Sequence, residues 1–162
     1  MSATTIERLY DALSRRDGAA MTACYHPDAT FSDPVFPDLR GGEVGAMWRM
    51  LCAQGDDLEV TWSDVWADGG TGRANWEATY SFGPQRRTVH NRITATFTFD
   101  DGLIRTHEDR FDLWRWTRMA VGPVGVALGW SSVVQQRVRM QADVGLRRWI
   151  AKEAGTGDSG TT

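Results

Sequence analysis

Apolar residues recur at Ile6, Leu9, Tyr10 and Leu13, the spacing that gathers side chains on one face of a helix. Thr4 and Thr5 stand before it as caps, and Asp17-Gly18 closes it. The pattern restarts over Ala19 to Tyr25 as a short second helix. His26-Pro27-Asp28 stops it, because the residue before a proline is pushed out of the helical region. A strand is expected at Ala29 to Ser32. Pro34 and Pro37 then impose a loop, and Gly41-Gly42 leads into a third helix carrying Val44, Met47, Trp48 and Leu51.

Strand-like runs follow: LEVTWSDVW, GRANWEATYSF, TVHNRITATFTF and GLIRTHEDRFDL, with Gly69-Gly70, Gly83-Pro84 and Asp101-Gly102 as hairpin connections. Successive strand side chains point to opposite faces, so parity assigns the core face. Ala74, Trp76, Ala78, Tyr80 and Phe82 share one face of their strand. Val89, Ile93, Ala95, Phe97 and Phe99 share one face of the next, with Asn91 the polar exception among them. In the last run Leu103, Phe111 and Leu113 mark a face that also carries Arg105, His107 and Asp109. Ile104, on the other parity, signals a bulge that would flip part of this register.

After Trp116 the chain reads TRMAVGPVGVALGW, apolar and punctuated by glycine. Ser131 or Ser132 then caps a final helix whose Val134, Val138, Ala142, Leu146 and Trp149 or Ile150 form an apolar stripe, with Arg137, Arg139, Arg147, Arg148 and Lys152 toward solvent. From about Gly155 the tail is expected to be disordered.

The length of 162 residues fits one domain with a true core. Eight Trp and six Phe add a second expectation, since large aromatics line apolar cavities as well as fill cores. A net charge of −3 without a basic segment argues against nucleic acid as a partner. The start lacks the apolar core of a secretory signal, and no apolar run approaches the roughly 20 residues that cross a bilayer. A cytoplasmic protein is therefore expected. Cys24 and Cys52 form no paired motif and read as two buried thiols. His26, His90 and His107 lack zinc spacing, so neither a metal nor another cofactor is expected.

Three helices before a curled antiparallel sheet, with IERLYDALSRRDGAAMTACYHPDATFSDP at the start and YHPDATFSDPVF and RGGEVGAMWRML as its most specific pieces, resemble the nuclear transport factor 2-like superfamily. The resemblance covers residues 5 to about 115. It implies an α+β fold in which a curved antiparallel sheet wraps the N-terminal helices as a cone with an apolar pocket. A domain over 1–116, a helical extension over 117–154 and a tail over 155–162 are expected. SnoaL-type polyketide cyclases, ketosteroid isomerases and limonene epoxide hydrolases are among the members.

HEDRFD at 107–112 is similar to W-R-D-Y-F-D of the limonene epoxide hydrolases, which implies Asp109 in the place of the acid that activates the attacking water. Their Y-x-N motif meets Phe-Ser-Asp at 31–33, so Phe31 stands where that family has a hydroxyl and Asp33 where it has an amide. Their R-x-D pair falls on Trp76 and Ala78, neither of which donates a proton. The polyketide cyclases also place an acid/base aspartate on this strand. That likeness implies proton transfer at a carbon next to a carbonyl, with no cofactor, more than epoxide opening.

The candidate catalytic residues are thus Asp109 as base, with His107 and Asp33 as proton partners. A carboxylate in an apolar pocket has a raised pKa, and an imidazole can shuttle the proton. Two nearby carboxylates can divide into acid and base. The competing reading pairs Asp109 with Arg105 or Arg110 and leaves Asp33 to turn chemistry. Asn91 either holds an oxygen of the substrate or satisfies buried backbone, and Trp76, Tyr80, Phe31 and Phe111 either line the pocket or fill the core.

The partner expected is a hydrophobic small molecule, within a homodimer. The same cone could instead carry an apolar ligand or lipid without chemistry, or be filled by its own aromatics in a structural dimer. The extension reads as a lid, a dimer interface or a membrane contact, with packing on its own domain or a second subunit favoured over a peripheral membrane contact.

Overall fold

The computed structural model describes residues 2–157. Helix α1, Ser2–Ser14, buries Ile6, Leu9, Tyr10 and Leu13 as the periodicity predicts. It begins before Thr4, and Thr5 is no cap: its hydroxyl donates to the Gly102 carbonyl at 2.8 Å and ties the helix to a sheet turn. Helix α2, Gly18–Thr22, is shorter than expected, and Asp17 caps it by accepting from the Ala20 amide. The gain goes to β1, Tyr25–Ser32, which runs through Pro27. Pairing lapses between Tyr25 and Thr30, so proline sits where no ladder donor is required.

A two-residue strand β2, Leu39–Arg40, was not foreseen; helix α3, Gly42–Gln54, follows. The hairpin strands are β3, Glu59–Ala67; β4, Thr71–Phe82; β5, Arg87–Asp100; and β6, Leu103–Arg110. One curved sheet of order β2-β1-β6-β5-β4-β3 results. It is antiparallel as expected except between β1 and β6, which pair parallel. A parallel pair needs a long crossover, and α3 with the four strands β2 to β5 supplies it.

Burial follows parity along β4 and β5, with Ala74, Trp76, Ala78, Val89, Ile93, Ala95 and Phe97 in the core. Phe82 departs from it, being 40% exposed at the strand end. In β6 the anticipated bulge is present: Thr98 faces Thr106, yet Phe99 faces Ile104. Ile104 is therefore buried with His107 and Asp109, and Arg105 turns aside to Asp28 and His26.

The strand ends at Arg110, earlier than alternation suggested, because Asp112 caps a new helix by accepting from the Arg115 amide. This helix α4, Leu113–Val121, spans the boundary expected at residue 116. Helix α5 is Pro123–Leu128, and α6 runs Ser132–Gly157, so helix continues past Gly155; the rest of the tail lies outside the described residues. Leu146 of α6 is fully buried against the main core, and Arg49 clamps Glu153 through two hydrogen bonds of 2.8 and 3.0 Å. Arg139 does not face solvent freely; its Nε donates to the Pro34 carbonyl. Cys24 and Cys52 are free and buried.

Candidate active site

The inward face of β6 carries His107 and Asp109, two positions apart and so on one side of the strand. His107 Nε2 lies 2.8 Å from Asp109 Oδ1, and its Nδ1 lies 2.7 Å from the Tyr25 hydroxyl. Trp48 on α3 donates to that hydroxyl at 2.9 Å, and Trp76 on β4 donates to Asp109 Oδ1 at 3.3 Å. An imidazole with its proton on Nε2 donates to the carboxylate and accepts the Tyr25 proton at Nδ1, an arrangement that satisfies every partner from Trp48 to Asp109.

Both contacts of Asp109 fall on Oδ1, and among the described residues no donor reaches Oδ2. Neither arginine proposed as its partner is there: Arg105 pairs with Asp28 and Arg110 with Glu108.

Asp33 follows the last residue of β1. Phe31 pairs with His107 and Ser32 with Glu108, where the ladder ends; Asp33 is the next residue, and the charge of Asp109 reaches its carboxyl. Its Oδ1 accepts from the amides of Val35 and Phe36 at 2.7 and 2.6 Å, the turn chemistry expected of Asp before proline. Burial pushes the Asp33 carboxyl up to about 7; the Phe36 amide opposes this, the charge of Asp109 adds to it, and the Val35 amide opposes it again. The turn thus fixes one oxygen and leaves the other without a donor among the described residues.

Asn91 is 6% exposed. It is not adjacent to Asp109: Ala95 is the residue opposite Asp109, and Asn91 lies four positions along β5 from it, roughly 13 Å at strand rise. Tyr80 stands opposite Val89 on β4, and its hydroxyl accepts from Trp116 of α4 at 2.8 Å. Burial, opposed by the Trp116 bond and aided by the Asp33 charge, lifts it to about 12. Phe31 packs edge-on to His107, with ring centres 5.0 Å apart, and Phe111 is half-buried below α4.

Tyr10 and Tyr25 both carry hydroxyls that could donate to a ligand, and the sequence puts both on helices: Tyr10 does lie on α1, whereas Tyr25 opens β1. Tyr10, fully buried, holds a hydroxyl with no hydrogen-bond partner among the described residues, stacks on Trp62 and lies tilted against Trp76. Burial first, then the charges of Asp109 and Tyr25, hold its proton well above the usual phenol range.

Two hollows mark the surface. One, of about 570 Å³, lies over Thr61, Ser63, Asn75, Glu77, Arg92 and Thr94, the outward residues of β3 to β5. The other, of about 290 Å³, separates the Val35–Leu39 loop from Arg139 and Met140 of α6. Neither is lined by Asp109 or His107. Among the described residues no group of three or more His, Cys, Asp or Glu is placed to hold a metal ion, and no helix is long and apolar enough to cross a membrane.

Comparison with curated proteins finds no match. Among solved structures, an LEH-like epoxide hydrolase of M. tuberculosis is similar at 24% identity and a TM-score of 0.62, covering 78% of this chain and 94% of its own. TsrD from Streptomyces laurentii is 22% identical at 0.62, covering 74% and 93%. A provisionally designated SnoaL-like polyketide cyclase from Jannaschia sp. CCS1 is 18% identical at 0.65, covering 75% and 92%. These likenesses show the fold, that of the nuclear transport factor 2-like superfamily. The description "SnoaL-like domain" matches residues 6–107, more than half of the sequence, and the chain belongs to that family.

Proposed function

We propose that the protein is a SnoaL-like acid/base catalyst acting on an apolar molecule that bears a carbonyl group. The charge of Asp109 acting on the Asp33 carboxyl, just past the end of the strand beside β6, carries this reading. Two neighbouring carboxylates in one apolar site, one with its pKa near 7, suit the division into acid and base that enolisation needs.

Asp109 Oδ2 takes a proton from the carbon next to the carbonyl, and the protonated Asp33 gives its proton to the carbonyl oxygen. The enol so formed collapses by returning a proton to carbon while Asp33 recovers its own. His107, fixed by Tyr25, holds Oδ1 and stabilises the charged carboxylate. The Tyr10 hydroxyl, unpartnered among the described residues, and the buried Asn91 amide suit oxygens further along a long substrate. Phe31, Trp76, Tyr80 and Phe111 supply apolar wall.

Deuterium uptake from heavy water into a panel of apolar cyclic ketones tests the reading by mass spectrometry. Asp109→Asn is expected to slow uptake about a hundredfold or more with the fold retained. An unchanged rate with a ketone that exchanges would overturn it.

A non-catalytic carrier of apolar ligands is the second reading. What favours it over catalysis is that neither hollow is lined by Asp109 or His107, so a molecule held in either would not meet the acid/base pair. A ligand recovered chemically unchanged, bound equally by Asp109→Asn, would select the carrier.

A further inference from the structure

Helices α4 and α5 form a tight hairpin outside the sheet. α4 packs on β5, burying Leu113, Trp116 and Ala120 against Val89. α5 packs on α4 through Gly125, where an added Cβ would meet the Thr117 carbonyl. The other sides of the hairpin carry Val121, Val124, Val126, Leu128 and Trp130, exposed by 39 to 66%, and the start of α6 adds Val133 at 73%. Single exposed apolar residues need no explanation; six within the thirteen residues 121–133 do.

Charge decides what suits the patch. From Met119 to Gln136 no residue is ionisable, and from Leu113 to Ala142 the chain holds Arg115, Arg118, Arg137 and Arg139 but no Asp or Glu. The protein as a whole is at −3. Among the described residues none of these arginines pairs with a carboxylate. Arg115 and Arg139 donate to the carbonyls of His90 and Pro34, and Arg118 lies over the Trp114 ring with its Nε unpartnered. A two-fold contact between copies would set these unpaired arginines against themselves, so a second copy of the chain fits poorly.

We infer that the α4–α5 hairpin docks on an anionic membrane surface, its apolar residues entering the headgroup boundary while Arg137, exposed at the start of α6, takes a lipid phosphate. The dimensions agree: α5 is six residues and about 9 Å long, the depth scale of interfacial insertion and far short of a span. Trp114 and Trp130 flank it at the level where amphipathic rings collect. The main domain adds α6, clamped by Arg49–Glu153 and Leu146, as the rigid support. The inference stands whether or not the interior catalyses a reaction.

Flotation of the full chain with phosphatidylcholine vesicles, with and without roughly a third phosphatidylglycerol, tests it at low and high salt. Binding is expected on the anionic vesicles, weakened by salt. Val126→Asp with Leu128→Asp should cut it at least about tenfold, and Arg137→Glu should cut it severalfold, each with unchanged circular dichroism. No binding to either vesicle would overturn the inference, as would binding indifferent to lipid charge. So would a dimer in solution that Val126→Asp with Leu128→Asp dissociates while wild-type protein ignores vesicles.

Discussion

His107 Nε2 faces Asp109 Oδ1 at 2.8 Å in a site where both side chains are almost wholly buried. A buried pair of this kind costs most when one member is removed, because the other keeps its desolvation penalty. His107→Ala strips Tyr25 and Asp109 of their partner together, and urea denaturation should show a loss of about 3 kcal/mol. Asp109→Asn preserves an oxygen that accepts from Trp76 and His107, so about 1 kcal/mol is expected. A reversed order would mean that the network is held elsewhere.

Asp33 makes stability depend on pH in the opposite sense from a salt-bridged acid. Its carboxyl titrates near 3.8 when unfolded and at about 7 when folded, so between those values the native state binds the extra proton. Stability from this group is full below the lower value and falls as pH rises through the window, by up to about 1.4 kcal/mol per pH unit, then levels above about 7. Asp33→Asn keeps an acceptor for the Val35 and Phe36 amides and cannot ionise. Denaturation near pH 5 and near pH 8 should therefore find the variant gaining on wild type as pH rises. Parallel curves would show that Asp33 is ionised throughout. The ketone exchange proposed for the site should fall above about pH 7, as its acid is lost.

Side-chain parity made the central hairpins legible, and with them the inward placement of His107, Asp109 and Asn91. What parity could not carry was pairing between distant segments. That β1 lies beside β6, leaving Asp33 just past a ladder that ends at Ser32 and Glu108 and bringing the Tyr25 hydroxyl to His107, depends on a crossover that leaves no periodic trace. Pro27 concealed the start of β1, since a proline that stops a helix also fits a gap in a ladder. At the far end Phe111 and Leu113 continued the alternation of β6, although Asp112 was already a cap for α4. Ile104 did announce the bulge, but which residues lay beyond it required the pairing with Phe99.

Leu146 is the one buried residue of α6, and the helix owes its place to this anchor and to the clamp of Glu153 by Arg49. Leu146→Ala should cost about 3 kcal/mol by leaving a cavity under α3. The clamp side chains are a third exposed, so Glu153→Gln should cost about 1 kcal/mol or less. Hydrogen exchange should locate the loss: amides of α6 should lose protection in Leu146→Ala before those of β4 and β5. Uniform loss would mean that α6 unfolds with the sheet as one unit.

Gly125 and Gly145 predict opposite outcomes for the same substitution. A Cβ at Gly125 would lie 2.2 Å from the Thr117 carbonyl oxygen, a backbone atom that cannot swing aside, so Gly125→Ala must separate α5 from α4. At Gly145, inside α6, nothing stands within 4 Å, and alanine gains the roughly 0.5 to 1 kcal/mol that glycine forfeits in a helix. Thermal unfolding should rise for Gly145→Ala. For Gly125→Ala it should stay near wild type while exchange quickens in α4 and α5 alone, since the hairpin packs outside the main core. Vesicle binding gives an independent reading: the loosened hairpin should bind more weakly, and the Gly145 variant as wild type. Retained protection across α4 and α5 in Gly125→Ala would show that the helices do not cross as closely as the Thr117 contact requires.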